Sequence, residues 1–188
     1  MRSSVEETAI KHERILDAAS QMFRKRGFEG VSVAEIMKAA GLTHGAFPAH
    51  FSSKEEVMKA GVERALQEML KMAEGAAGLP EPKKAFLSYY LSAKHRDNPE
   101  NGCVMTTLAP EIARKSGAVR SVFNSYVATV INQMTKMFYP RRRQGRIDAI
   151  ATLSAVVGAI TLARAVDDPA LSEEILSSVR AHFEIDPE

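Results

Sequence analysis

SVAEIMKAAGLTHGAFPAHFSSK, residues 32–54, decides the fold. Ser32 and Glu35, three residues apart, form a capping box. The serine oxygen and the glutamate carboxylate each satisfy an amide donor that the first turn of a helix leaves open. Val31 before the cap and Ile36 after it make a hydrophobic staple. Val33, Ile36 and Ala40 recur at helical spacing, and Gly41 supplies the positive-φ residue that ends this helix and turns the chain. Thr43 stands as the N-cap of a second helix carrying Phe47 and Phe51 on one side, and Ser53 with Glu56 caps a third. Two short helices around a glycine turn, the second presenting Thr, His and small residues outward, suit insertion into a DNA major groove. A helical corner inside any all-α protein has the same outline.

Particular residues separate these readings. The stretch is preceded by ILDAASQMFRKRGFEG, residues 15–30, and carries the pattern G-x-x-x-G-A-F-x-x-H-F-x-S-K over residues 41–54. In these motifs the chain resembles the amino-terminal DNA-binding domain of TetR-family transcriptional regulators. The remainder resembles that family in its all-helical plan and in a few local patterns. The resemblance implies an all-α, two-part homodimer: residues 1–53 as a helix-turn-helix DNA-binding domain and 54–188 as a helical domain that dimerises and holds a small-molecule effector. It also implies a near-palindromic double-stranded operator, most often repressed, and released when ligand alters the spacing of the two recognition helices.

Within that frame the expected DNA-binding residues are Ser32, Thr43, His44, Gly45, Ala46, Phe47, Pro48, His50 and Lys54. Thr43 and His44 offer hydrogen bonds to phosphate or base edges, and Gly45 and Ala46 permit close approach. Lys54 sits in the first turn of the third helix, where free amides and the positive dipole end make a phosphate clamp. Pro48 departs from the family pattern, which usually has tyrosine there. Lying inside the second helix, it removes an amide donor and predicts a bent or shortened element.

Elsewhere the chain sets bounds. Its 188 residues with 45% hydrophobic content suffice for one compact unit or two small ones. A formal net charge of +2 announces no nucleic-acid partner, so any basic surface must be local. Cys103 is the single cysteine, which excludes an intramolecular disulfide and fits a reducing, cytoplasmic setting. The amino terminus lacks an apolar h-region and predicts no signal peptide, and residues 149–163 form an apolar run too short for a membrane span, better read as a buried helix. Five scattered histidines show no metal-ligand spacing, and there is no phosphate loop or nucleophile elbow. We therefore expect no enzyme, metal or cofactor. The rival readings are a thiol enzyme and a helical interaction module.

In order, residues 1–7 read as a loose polar arm and 8–25 as a first helix, with Lys11 and Arg14 as candidate phosphate contacts. Ile15, Ala19, Phe23, Phe28, Ile36, Leu42, Phe47 and Phe51 supply one small apolar centre. The helix from Ser53 runs to a break at residues 74–80 and links the two parts. Residues 83–94 predict one helix, and 95–102 a polar break. GCVMTTLAPEIAR, residues 102–114, resembles a region found in a subset of these regulators, with Pro110 marking a first turn or a kink. Gly117 precedes a long helix that ends at Tyr139-Pro140. Arg141, Arg142, Arg143 and Arg146 are the densest basic cluster, read as a solvated loop rather than a DNA patch. Asp168-Pro169 opens the last helix by the cap-then-proline rule.

For the effector, Met69, Met72, Tyr89, Tyr90, Cys103, Met105, Leu108, Phe123, Tyr126 and Met134 are candidate lining of an adaptable apolar cavity; each also reads as plain core. Cys103, after Gly102 at a helix start, reads either as a small hydrophobe or as a dipole-stabilised thiol that senses electrophiles or oxidants. Ile150, Leu153, Val157, Gly158, Thr161, Leu171, Ile175 and Val179 lie on two adjacent helices with more apolar surface than one small domain covers, and predict a four-helix dimer interface.

Overall fold

The computed structural model describes residues 5–115 and 117–185, and these are helical with no strand among them. The all-α expectation holds. The first helix, α1 (Val5–Arg26), starts earlier than the composition of its first turn suggested, so Val5 to Glu7 are helical rather than a loose arm; residues 1–4 of that expected arm lie outside the described residues. Gly27 at φ +75° ends α1 and aims Phe28 back into the core.

Helix α2 (Val33–Ala39) carries the expected capping box, with the Ser32 side chain accepting from the Glu35 amide at 3.2 Å and the Glu35 carboxylate accepting from the Ser32 amide at 2.8 Å. Gly41 has φ +72°, the left-handed value the turn requires. The second element of the motif is a 3₁₀ run over His44–Ala49 instead of an α-helix. Pro48 explains the difference: without an amide it leaves the run held by Ala46 to Thr43 and His50 to Phe47 bonds of the tighter type. Thr43 sits at the N-cap, but its side chain makes no capping bond.

Helix α3 (Lys54–Ala77) begins with Ser53 accepting from the Glu56 amide at 3.1 Å, while the Glu56 carboxylate turns to Ser52. It runs through Gly75, past the start of the expected break. The helix expected over 83–94 is two, α4 (Pro82–Tyr90) and α5 (Ala93–Asp97). Ser92 divides them, its hydroxyl accepting from the His95 amide at 3.2 Å, so His95 is buried within α5 rather than exposed in a polar break. A short 3₁₀ turn (Pro99–Asn101) leads to α6 (Val104–Ile112), N-capped by Cys103. Pro110 lies near its end, two residues before the helix stops.

Helices α7 (Ala118–Phe138), α8 (Gly145–Ala165) and α9 (Pro169–His182) complete the chain, and Asp168 caps α9 by accepting from the Ala170 amide at 2.8 Å. By length and composition α8 could cross a membrane. Its residues Ala149, Val156, Ala159, Ile160 and Ala163 are nevertheless buried against neighbouring helices, as a core helix requires. The four arginines before and within it are exposed, Arg142 pairing with Asp148 at 3.3 Å and Arg146 donating to Asn132 at 2.7 Å.

One apolar cluster takes in Ile15, Phe23, Phe28, Ile36 and Phe51 from the first part together with Leu108, Tyr126 and Leu153 from the second. Leu42 and Phe47, expected in the first centre, are only half-buried at its edge. The residue 53 boundary therefore falls inside a continuous core. A second cluster joins Leu87 and Leu91 to Val156, Ile160 and Leu176.

Candidate functional site

Two places gather the expected site residues. The first is the outward side of the 3₁₀ run. Thr43, His44, Gly45 and Pro48 are exposed there, and nothing lies within 4 Å of where a Gly45 Cβ would stand. Ala46 and Phe47 are instead half-buried and pack on the apolar cluster, with Phe47 stacked on Phe51 at 6.0 Å. They position the run rather than face outward. Ser32 is exposed but engaged in its capping box, which lets the Glu35 carboxylate accept from the Ser32 amide and from Arg26. Those bonds lower its pKa to about 2 and keep it an anion.

His50 is half-buried beside His12, ring centroids 5.8 Å apart, and His12 stacks on Phe51 at 4.7 Å. Burial first, then the charges of His12 and Lys11, lower the His50 pKa. His12 was not singled out from sequence; its position four residues before Leu16 on α1 gave only a helical surface position. Lys54 is half-buried at the start of α3. Lys11 pairs with Glu7 at 2.9 Å, and the Arg14 guanidinium lies against Gly41.

The second place is a cavity of about 330 Å³ between α3, α4, α6 and α7. Met69, Met72, Tyr89, Tyr90, Cys103, Met105, Tyr126 and Met134 line it, as expected. Leu108 and Phe123 do not: Leu108 is packed in the cluster on the inner side of α6, and Phe123 lies a turn before Tyr126, stacked on it at 6.2 Å. Sequence reading missed Phe86, Met137, Phe138 and Leu153, all apolar at helical spacing, and Arg24. Arg24 is a buried cation on the core side of α1, bonded to Glu68 at 2.9 Å and to the Gly102 carbonyl at 3.2 Å.

Cys103 is half-buried at the cavity wall, its sulfur 3.8 Å from the Tyr126 hydroxyl. Its amide donates to His95 Nε2 at 3.2 Å, which leaves the ring proton on Nδ1 to donate to the Tyr90 carbonyl at 2.7 Å. Burial first, and then the charge of Arg164, lower the His95 pKa and favour this neutral ring. Arg164 of α8 donates to the carbonyls of His95 at 2.6 Å and Arg96 at 2.8 Å and to Thr106 at 2.8 Å. At the other end of α6, Glu111 accepts from the Phe28 amide at 2.8 Å, and Lys115 pairs with Glu29. The helix that walls the cavity is thus bonded to the loop that leads into the helix-turn-helix.

Of the expected dimer residues, Leu153 faces inward and lines the cavity, 6% exposed. It does so because α8 is apolar over most of its circumference, so the pattern did not fix its orientation. Ile175 and Val179 pack partly on the second cluster. Ile150 and Leu171 are exposed at 41% each, Gly158 has open space beside it, and Ile147 and Leu162 add to this outer face.

Residues 15–60 match the model for bacterial regulatory proteins of the tetR family. The chain is 32% identical over 91 residues to an uncharacterized HTH-type transcriptional regulator, YerO, of Bacillus subtilis, covering 46% of this chain and 31% of that one. It is 29% identical over 129 residues to the HTH-type transcriptional repressor NemR of Escherichia coli, covering 63% and 62%. The matched stretches thus span less than two thirds of these relatives' own length. The fold is that of the crystal structure of E. coli NemR in its reduced form, with TM-score 0.76 and 23% identity over 93% of this chain and 96% of that one. The capped helix-turn-helix at residues 15–60 is thus of the type found in bacterial regulatory proteins of the tetR family, and it is set on a helical body whose fold is that of solved regulators of that family.

Proposed function

We propose that the chain is a ligand-released repressor that binds a near-palindromic operator as a homodimer. The observation that supports it best is the exposure of Thr43, His44 and Gly45 on a 3₁₀ run whose other side, Phe47 and Ala46, is anchored on the core. Such a run offers short polar side chains and bare backbone to a groove without moving itself. Lys54 and His50 flank it as phosphate contacts.

Dimerisation runs through the outer face of α8 and α9, where Ile147, Ile150, Leu162 and Leu171 are exposed. Two copies read half-sites one helical turn or a multiple of it apart, so a change in separation removes simultaneous fit. The cavity supplies the change. A ligand that pushes on α6 acts through Glu111 on Phe28, and one that displaces Arg24 acts directly on α1. Selection of bound duplexes from a random library, followed by titration at several salt concentrations, tests the reading. Specific binding that weakens steeply with salt is expected; binding without sequence preference, or none, refutes it.

A second reading has its own observation. Cys103 opens into the cavity at the N-cap of α6, and a protein of like fold, NemR, is described in a reduced form. Under this reading the thiol senses an electrophile or oxidant. Complete alkylation that leaves operator affinity intact eliminates it.

A further inference from the structure

The polar side chains on the cavity wall are those of Arg24, Tyr89, Tyr90, Cys103, Tyr126 and Gln133. Arg24 is its one charged lining residue among those described, and its guanidinium is taken up by Glu68 and by the carbonyls of Ser20 and Gly102. Tyr126 has the Cys103 sulfur. Tyr90 differs. Its ring is fixed between Phe86 at 5.2 Å and His95, edge-on at 4.5 Å, and only 5% of the residue is exposed. Its hydroxyl is buried with no partner at ordinary hydrogen-bond geometry, and its one polar neighbour, the weakly accepting Cys103 sulfur, is already shared with Tyr126. Burial, and then the neighbouring Cys103, raise its pKa, so the phenol keeps its proton and remains a donor.

A buried donor left unmatched is rare in folded proteins and marks a place where something else completes the bond. The rest of the wall says what. Among the described residues no Asp or Glu side chain lines the cavity to receive a cation, and the single guanidinium is already paired against an anion. The wall is otherwise mostly apolar, with five methionines among its residues, and the volume of about 330 Å³ lies at the small end of ligand pockets. We propose that the cavity binds a small, neutral, largely apolar molecule carrying one carbonyl-type acceptor, which the Tyr90 hydroxyl engages. This deepens the ligand-release reading above and rests on it.

Prodan, a neutral fluorescent naphthyl ketone, tests the inference by its blue-shifted emission on binding, with ethylnaphthalene as a carbonyl-free competitor. Tyr90→Phe should weaken prodan about fivefold, the worth of one neutral hydrogen bond, and leave competition by ethylnaphthalene unchanged. On the wild-type protein, acetylnaphthalene should compete better than the more apolar ethylnaphthalene. Unchanged prodan affinity in Tyr90→Phe, or equal competition by the two naphthalenes, overturns the acceptor assignment while the cavity reading stands. If no naphthalene binds the wild-type protein, the cavity reading fails and the inference with it.

Discussion

Glu111 and Phe28 are joined across 83 residues of chain by a single bond, carboxylate Oε2 to backbone amide, at 2.8 Å. The Phe28 ring is wholly buried, and the Glu111 carboxylate lies where a side chain at Gly27 would stand. A glycine is therefore required at 27 on two counts, its φ of +75° and this close approach. Replacing Glu111 by Ala leaves the Phe28 amide unpaired and should cost about 1–3 kcal/mol in chemical denaturation. It should also reduce the effect of any cavity ligand on operator affinity. A Glu111→Ala protein with full ligand response would remove this bond from the transmission route.

Pro48 is exposed in a 3₁₀ run, where neither a lost interior α bond nor the usual clash with the preceding turn applies in full. Its cost is accordingly well under the roughly 3 kcal/mol of a helix-interior proline. Pro48→Tyr should lengthen the element, raise the melting temperature slightly and strengthen duplex binding by about 1 kcal/mol through a hydroxyl on phosphate. Unchanged affinity and unchanged melting temperature would mean that the proline is no defect in this reading element.

Beyond its own stretch of α8, nothing described lies within 4 Å of where a Gly158 Cβ would stand, so the protomer leaves room for a side chain to start there. Gly158→Leu should leave the protomer folded, weaken the dimer in sedimentation, and lower operator affinity as the chelate advantage of two half-sites is lost. A dimer of wild-type strength would move the interface elsewhere.

His95 is buried neutral, its pKa held below 6.5 by desolvation. In the unfolded chain the ring takes up its proton near the ordinary value of about 6.5, so below that pH the unfolded state binds more protons than the folded one. Stability is full above that value and is lost as pH falls toward the depressed folded pKa. Melting temperature measured between pH 7.5 and 5 should decline in the wild type, with about that onset, and be flatter in His95→Gln. Parallel curves would assign the decline to other groups.

The punctuation of the chain was legible because caps act locally. Ser32 with Glu35, Gly41, Ser53 and Asp168-Pro169 each fix a boundary by bonds spanning a few residues, and the structure makes those bonds. The division at Ser92 was not legible: Leu91 continues the apolar spacing of α4, and only the Ser92 hydroxyl, bonded to the His95 amide, starts a new helix. Helix α8 hid the inward turn of Leu153 because almost every side of it is apolar. Arg24 escaped notice for the opposite reason. A cation among basic neighbours at the end of α1 reads as solvated, and it takes Glu68 and Gly102, far along the chain, together with the Ser20 carbonyl to make its burial tolerable.

The continuous core that carries Ile15 and Phe28 alongside Leu108 and Tyr126 bears on modularity. Cutting the chain after residue 53 would expose part of that packed surface to water, so a helix-turn-helix lifted out and grafted onto another body is expected to lose stability. A chimera between relatives would have to transplant the α6 face as well, Glu111 included, or select new partners for it. If the chain acts as proposed above, divergence of operator specificity and of effector specificity is constrained jointly, through the residues where the two halves share one interior.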